Sequence, residues 1–177
     1  PCDPNEMERA VDASLNYNGP MYLRIARGGE EIVSDPSKGF EIGKAICMHD
    51  DGSDVLIITT GVTPILAIEA ANELKKNALG VTVLHNHTVK PLDFEMNFEY
   101  IKKAKIIVTI EENTIIGGLG SAISELIAEA GFEKPKKFKR IGIPDVFPNK
   151  YGNQKFLMDY YGISSENLVK VVKGLAE

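Results

Sequence analysis

The chain has 177 residues, of which 44% are hydrophobic and 25% are charged, and its net charge is −5. This composition is typical of a folded globular domain and argues against disorder. The acidic balance argues against a general nucleic-acid binder, and no apolar run approaches the roughly twenty residues that cross a bilayer. The two cysteines cannot form a disulfide framework, so we expect a cytoplasmic protein.

The first forty residues predict one helix and one strand. Asp3 is placed to cap a helix that begins at Pro4, and Glu6 follows the cap at the spacing of a capping box. Residues 21–25 then have the pattern of a short buried strand, followed by a glycine-rich, acidic linker. Because one helix and one strand cannot enclose a core, we expect this part to be the end of another α/β domain.

Beyond the linker, short apolar runs alternate with helical patterns. The runs that predict strands are 42–48, 55–60, 81–85, 106–110 and 138–143. Runs so rich in Val and Ile are typical of strands buried on both faces. Helices are predicted after Thr63, after Asp93, from Leu119 and after Ser164, and the second should bury Phe94. Strands and helices in alternation predict an α/β fold with a mainly parallel sheet.

A glycine cluster lies between a predicted strand and a predicted helix. At such a junction, backbone amides and the helix dipole can hold an anion. The cluster does not match a dinucleotide-binding loop, because Ile123 stands where Gly or Ala is needed, and no Lys follows as in a P-loop. We favour a tight turn that lets strand and helix pack closely, and an anion site is the alternative. The glycines concerned are Gly117, Gly118 and Gly120.

Two pairs of soft or borderline metal ligands are spaced for one strand face each. Cys47 lies two residues from His49, and His85 lies two residues from His87. Four such ligands could bind zinc if their strands were neighbours. The spacing does not require this, so we favour histidines that hydrogen-bond at strand ends, and we expect no metal site.

Charged residues mark two other places. Glu111 and Glu112 end a predicted strand, at the edge of a parallel sheet where ligands usually bind. A carboxylate there could act as an acid or base, or could orient a backbone amide. No nucleophile is near them in the sequence, so we favour a structural or interface role. The basic run at 134–140 is interpreted as a solvated loop that enters a strand.

Two arginines close the early predicted strand. Arg24 belongs to the strand, and Arg27 lies just beyond it, before two glycines. A guanidinium group at that position suits a bidentate contact with a phosphate. Spacing alone leaves a phosphate contact and a surface ion pair equally open.

Together these segments resemble the carboxyl-terminal part of transketolase and its thiamine-diphosphate relatives. Their closest resemblance is to transketolases whose two halves are separate subunits. Deoxyxylulose-phosphate synthase and the β subunits of 2-oxoacid dehydrogenases share the same domain. The matching segments are Pro-Cys-Asp at 1–3, Gly-Pro-Met-Tyr-Leu-Arg-Ile-Ala-Arg at 19–27, Gly61, His-Thr-Val-Lys-Pro-Leu-Asp at 87–93, Thr-Ile-Glu-Glu at 109–112, Gly-Gly-Leu-Gly-Ser at 117–121, Arg-Ile-Gly-Ile-Pro-Asp at 140–145 and Tyr-Gly-Ile at 161–163.

The resemblance implies a domain division and a more specific fold. Residues 1–27 would be the tail of the pyrimidine-binding domain, 28–43 a linker and 44–177 the transketolase C-terminal domain. The last would contain a mixed, mainly parallel five-stranded sheet with helices on both faces.

The resemblance also implies a function for the parent enzyme. That enzyme would use thiamine diphosphate and magnesium to transfer two-carbon ketol units between sugar phosphates, as in the pentose phosphate pathway. It would be a homodimer or larger, with an amino-terminal half or subunit as the partner of this chain. Arg27 would match the arginine that grips the substrate phosphate, and Arg24 a second arginine of the synthase branch. The third domain would supply no catalytic group.

The family's cofactor residues have no match here. Asp50-Asp51-Gly52 is the only local look-alike of the diphosphate and metal motif, and it lacks the preceding glycine. Asn113 stands where some relatives carry a histidine. We therefore expect this chain alone to bind no thiamine diphosphate and to be inactive. The alternatives are the C-terminal domain of deoxyxylulose-phosphate synthase, a 2-oxoacid dehydrogenase β subunit, or a non-catalytic oligomerisation or anion-binding regulatory domain.

Overall fold

The computed structural model describes residues 1–177 and contains six α-helices and five strands. The helices are α1 (Pro4–Ser14), α2 (Pro64–Lys75), α3 (Phe94–Lys103), α4 (Leu119–Glu129), α5 (Gln154–Tyr160) and α6 (Ser165–Ala176). The strands are β1 (Ile46–Asp50), β2 (Val55–Thr59), β3 (Val81–His85), β4 (Ile106–Thr114) and β5 (Lys137–Ile143). No helix is both long and apolar enough to span a bilayer.

One sheet holds all five strands, in the order β1-β3-β2-β4-β5. Strands β3, β2, β4 and β5 are parallel, and β1 is an antiparallel edge strand that pairs with β3. The central strands β2 and β3 are buried at all five positions, as their continuous apolar runs predicted. The mixed, mainly parallel five-stranded sheet is confirmed.

Two separate apolar clusters cover the two faces of the sheet. On one face, α2 and α6 pack over Val55, Ile57 and Val83. On the other, α3 and α4 pack over Leu56 and Ile58. Consecutive β2 residues therefore enter opposite clusters, because side chains alternate along a strand. The chain thus has its own core, with helices on both faces of the sheet.

The amino-terminal part forms the predicted helix without a strand. Asp3 caps α1 by accepting a hydrogen bond from the Glu6 amide at 2.8 Å. Residues 21–25 are irregular instead of a strand, because their backbone groups find no neighbouring strand within this chain. Tyr22 and Ile25 are 88% and 67% exposed, so the predicted burial of this segment is also wrong for the chain by itself.

Several details differ from the sequence-based expectations, and the first is that the strand predicted at 42–48 is β1 at Ile46–Asp50. β4 continues to Thr114, four residues beyond its apolar run, because buried Glu111 and Glu112 extend it as polar residues. Helix α5 had no sequence prediction, since its seven residues are too few to show a helical pattern. Phe94 is 54% exposed where a core position was expected, because it lies in the first turn of α3 and stacks only on Phe98.

Candidate functional site

The side chain of Glu111 lies against the glycine cluster on the buried side of the loop. Its carboxylate oxygens accept hydrogen bonds from the backbone amides of Leu119 at 3.0 Å and Gly120 at 2.8 Å, at the start of α4. Burial raises the pKa of Glu111, and these two amides and the charge of Arg140 act in the opposite direction. The amides that an external anion would need therefore already serve an internal carboxylate.

The glycines leave room for this contact. A Cβ atom on Gly118 would overlap the Glu111 carboxylate and lie 2.9 Å from the Thr114 carbonyl oxygen. On Gly120 it would lie 2.8 Å from the Arg140 side chain. Gly117 donates its amide to the Ser121 hydroxyl at 2.9 Å. The geometry thus supports the close-packing interpretation of this loop over the anion site.

Glu112 bonds to side chains from two distant segments and lies close to a third segment at Gly61. It forms an ion pair with Nη1 of Arg24, and its other oxygen accepts a hydrogen bond from Nε2 of Gln154 at 2.8 Å. Gly61, which follows β2, has φ +59°, and a Cβ there would lie 2.9 Å from the Glu112 carboxylate. The Glu112 side chain is 5% exposed, whereas that of Arg24 is 47% exposed. Arg24 is therefore held at the carboxyl edge of the sheet, which is the edge where the parallel strands end.

Arg27 lies near Arg24 along the chain and is used differently. It is exposed and makes no hydrogen bond or ion pair within the chain. All of its N–H donors are thus available to a partner or a ligand. Of the two arginines proposed to bind phosphate, Arg24 is therefore paired within the chain and Arg27 is not.

A second polar cluster ties α1 to the sheet. Nε2 of His85, at the end of β3, lies 3.1 Å from Oε2 of Glu6, and this oxygen also accepts the Cys2 amide at 2.6 Å. Nδ1 of His85 lies 3.0 Å from the Thr59 hydroxyl. Burial by itself would raise the pKa of Glu6, but the hydrogen bond and charge of His85 lower it to about 2. Glu6 is therefore ionised, and its buried carboxylate connects α1 to His85 at the end of β3.

The same cluster includes a metal-like donor set. The thiol of Cys2 and the side chains of Glu6 and His85 place ligand atoms within 4.8 Å of one another. Burial and the nearby carboxylates raise the pKa of the Cys2 thiol, which disfavours the thiolate that a metal would need. The hydrogen bonds of Glu6 and His85 account for the arrangement without an ion.

The four ligands considered from sequence do not converge. Cys47 pairs with Leu84 in the sheet, so its side chain points away from the face on which His85 lies. His49 instead lies 3.2 Å from Asp51. His87 stacks on Phe40, and burial lowers the pKa of His87 to about 4.

The look-alike of the diphosphate motif is used structurally. Asp50 accepts a hydrogen bond from the Thr82 hydroxyl at 3.1 Å, and Asp51 accepts the Val81 amide at 2.8 Å. A Cβ on Gly52 would lie 2.7 Å from the Cα of Gly80. These residues close the turn between β1 and β2 and do not fit a diphosphate and its metal ion.

Sequence reasoning missed two members of these clusters. Gln154 carries no signal, because a glutamine in a polar segment is ordinary. Glu6 had a signal, but for another role: the capping-box spacing predicted a backbone contact near Asp3, and the carboxylate reaches both the Cys2 amide and His85. The pairing of Glu112 with Arg24 joins residues 88 positions apart, and no local pattern reports that.

The sequence of the chain is similar to those of known proteins. Residues 43–168 match the family described as transketolase, C-terminal domain. An uncharacterized transketolase family protein of Sinorhizobium fredii is 39% identical over 98% of this chain and 50% of its own length. A 1-deoxy-D-xylulose-5-phosphate synthase of Dehalococcoides mccartyi is 36% identical over 99% of this chain and 28% of its own.

Solved structures give the same picture. A split gene transketolase, described as an inactive β4 tetramer, superposes with a TM-score of 0.89 at 31% identity. The superposition covers 99% of this chain and 56% of that one. The chain therefore spans about half the length, or less, of the proteins it matches.

Proposed function

Because this chain belongs to the transketolase C-terminal domain family, we propose that it is the C-terminal portion or subunit of an enzyme that transfers two-carbon ketol units between sugar phosphates. The observation that carries the proposal is the pair of arginines: Arg24 is fixed at the carboxyl edge of the sheet, and Arg27, three residues further along the chain, is exposed without an internal partner. Guanidinium groups so placed suit a substrate phosphate.

The rest of the reaction centre is assigned to an amino-terminal half or subunit. Thiamine diphosphate and magnesium would be bound there and would supply the carbanion chemistry. In this division, residues 1–27 complete the partner's pyrimidine-binding domain, 28–43 link, and 44–177 form the transketolase C-terminal domain. The match of 43–168 and the half-length coverage support it. We place the enzyme in the cytoplasm as a homodimer or larger assembly.

The test is a substitution of Arg27 in the complete enzyme. Arg27→Ala should raise the KM for a phosphorylated acceptor about tenfold or more, because a charge-assisted contact is lost, and should change the KM for an unphosphorylated acceptor about twofold or less. Steady-state kinetics with both acceptors measure this. Lys170→Ala, which removes an exposed charge on α6, is the control and should change neither. Equal effects of Arg27→Ala on both acceptors would contradict the role.

Two other functions are separable from this one. The 36% identity to a 1-deoxy-D-xylulose-5-phosphate synthase favours that enzyme as the second candidate, and a test for 1-deoxy-D-xylulose 5-phosphate among the products of the complete enzyme distinguishes the two. A purely assembling or regulatory domain is the third. It would need no substrate contact, so Arg27→Ala would then leave both KM values unchanged.

A further inference from the structure

We propose that Glu112 is the positioning residue that sets Arg24 in the substrate-phosphate site, an inference that rests on the function proposed above. Glu112 is nearly buried at the end of β4, in the C-terminal domain, while Arg24 belongs to the amino-terminal segment. This contact joins the sheet of the C-terminal domain to a side chain at the proposed reaction centre.

Residues other than Arg24 already restrict the position of the Glu112 carboxylate. Gln154 donates to one oxygen at 2.8 Å, and Gly61 leaves the space above the other oxygen open. A buried carboxylate is costly unless it is paired and hydrogen-bonded. The Arg24 guanidinium supplies the missing charge, so its location is dictated by a group that cannot move freely.

The contact orients Arg24 without consuming it. Only Nη1 of Arg24 contacts Glu112, and a guanidinium has five N–H donors in a rigid plane. The side chain remains 47% exposed, so the rest of the fork can face a ligand. Glu111, the neighbouring residue, differs because both of its oxygens serve the amides of α4.

The experiment uses the complete enzyme with Glu112→Ala and Glu112→Gln. Glu112→Ala should raise the KM for a phosphorylated acceptor about tenfold, the cost of one charge-assisted hydrogen bond, with kcat changed about twofold or less. Glu112→Gln keeps an acceptor oxygen and should restore KM to within about threefold of the wild type. Glu125→Ala, an exposed carboxylate on α4, is the control.

One further measurement identifies the route of the effect. In an Arg24→Ala background, Glu112→Ala should add about twofold or less to the KM for the phosphorylated acceptor, because two groups that act as one unit are not additive.

The outcomes separate the two proposals. Fully additive effects of Glu112→Ala and Arg24→Ala on KM overturn the positioning of Arg24, whatever Arg27→Ala does. A KM for phosphorylated acceptor that Glu112→Ala leaves unchanged, while Arg27→Ala raises it, also overturns the positioning and leaves the proposed function intact. Non-additive effects together with a phosphate-independent Arg27→Ala support the coupling of Glu112 to Arg24 and refute the phosphate assignment.

Discussion

At the scale of single residues, the end of β4 shows how adjacent carboxylates are given different partners. Glu111 faces the start of α4 and accepts two backbone amides, while Glu112 faces the segment that contains Arg24. Side chains alternate across a strand, so neighbouring residues reach opposite surroundings. The fit of Glu111 depends on the absence of a side chain at Gly118.

Gly118→Ala should therefore destabilise the protein by about 1–3 kcal/mol, because a Cβ would overlap the Glu111 carboxylate and force the loop to move. Urea denaturation followed by circular dichroism measures the change. Gly174→Ala is the matched control, since nothing lies within 4 Å of a Cβ at this α6 position. It should stabilise by up to about 1 kcal/mol through helix propensity. Equal stability of the Gly118 variant and the wild type would remove the packing argument.

His87 gives the protein a pH-dependent stability. Burial lowers the pKa of His87 from 6.5 to about 4, so the unfolded chain binds its proton more readily than the folded one. Stability from this group is present above pH 6.5 and is lost as the pH falls toward 4. The free energy of unfolding should drop by about 2 kcal/mol between pH 7 and pH 5.

His87→Gln should lose that dependence, because glutamine does not titrate. Urea denaturation at pH 7 and pH 5 compares the two proteins. The loss of stability from Glu6, whose pKa is lowered from 4.5 to about 2, follows at lower pH and leaves this window nearly clear. A variant with the same drop as the wild type would assign the dependence to another group.

At the scale of elements, the sequence predicted the strands and helices that have one or both faces regularly buried. The apolar runs at 55–60 and 81–85 form β2 and β3, and the helix predicted from Leu119 is α4. Burial on one or both faces of an element produces a regular pattern of apolar residues, so these elements could be predicted. The segment at 21–25 has the same pattern and forms no strand here. A strand needs a partner, and a local pattern does not contain one.

The candidate site shows the same limit more strongly. The strand-end position of Glu112 could be predicted, and so could the suitability of Arg24 for an anion. Their mutual contact could not, because it depends on how residues 16–35 run back across the sheet edge. That path is set by Asp3, which accepts the amides of Val33 and Ser34, 30 and 31 residues away.

At the scale of the whole molecule, a sheet domain with an enclosed core is joined to an amino-terminal segment with exposed apolar side chains. The sheet between its two apolar clusters is complete. By contrast, the amino-terminal segment exposes a series of large apolar side chains, namely Leu15, Tyr17, Met21, Tyr22, Ile25 and Ile32. Exposed apolar surface of this extent is typical of an interaction site. The proposed occupant is the amino-terminal half of the enzyme, whose sheet could extend along residues 21–25.

This arrangement predicts how the cofactor binds. The isolated chain should show no heat of binding for thiamine diphosphate with magnesium, because its one look-alike motif at 50–52 is engaged in a turn. A mixture with the amino-terminal half should sediment as a complex and then bind the cofactor.

Ile25→Asp should weaken that complex, since a charge would be buried at the interface. Val171→Asp is unsuitable as a control because Val171 packs on the core. Glu166→Lys, at an exposed position on α6, provides the control and should sediment like the wild type. Tight, magnesium-dependent binding of thiamine diphosphate by the isolated chain would contradict the division of labour, because it would require a complete cofactor site within these 177 residues.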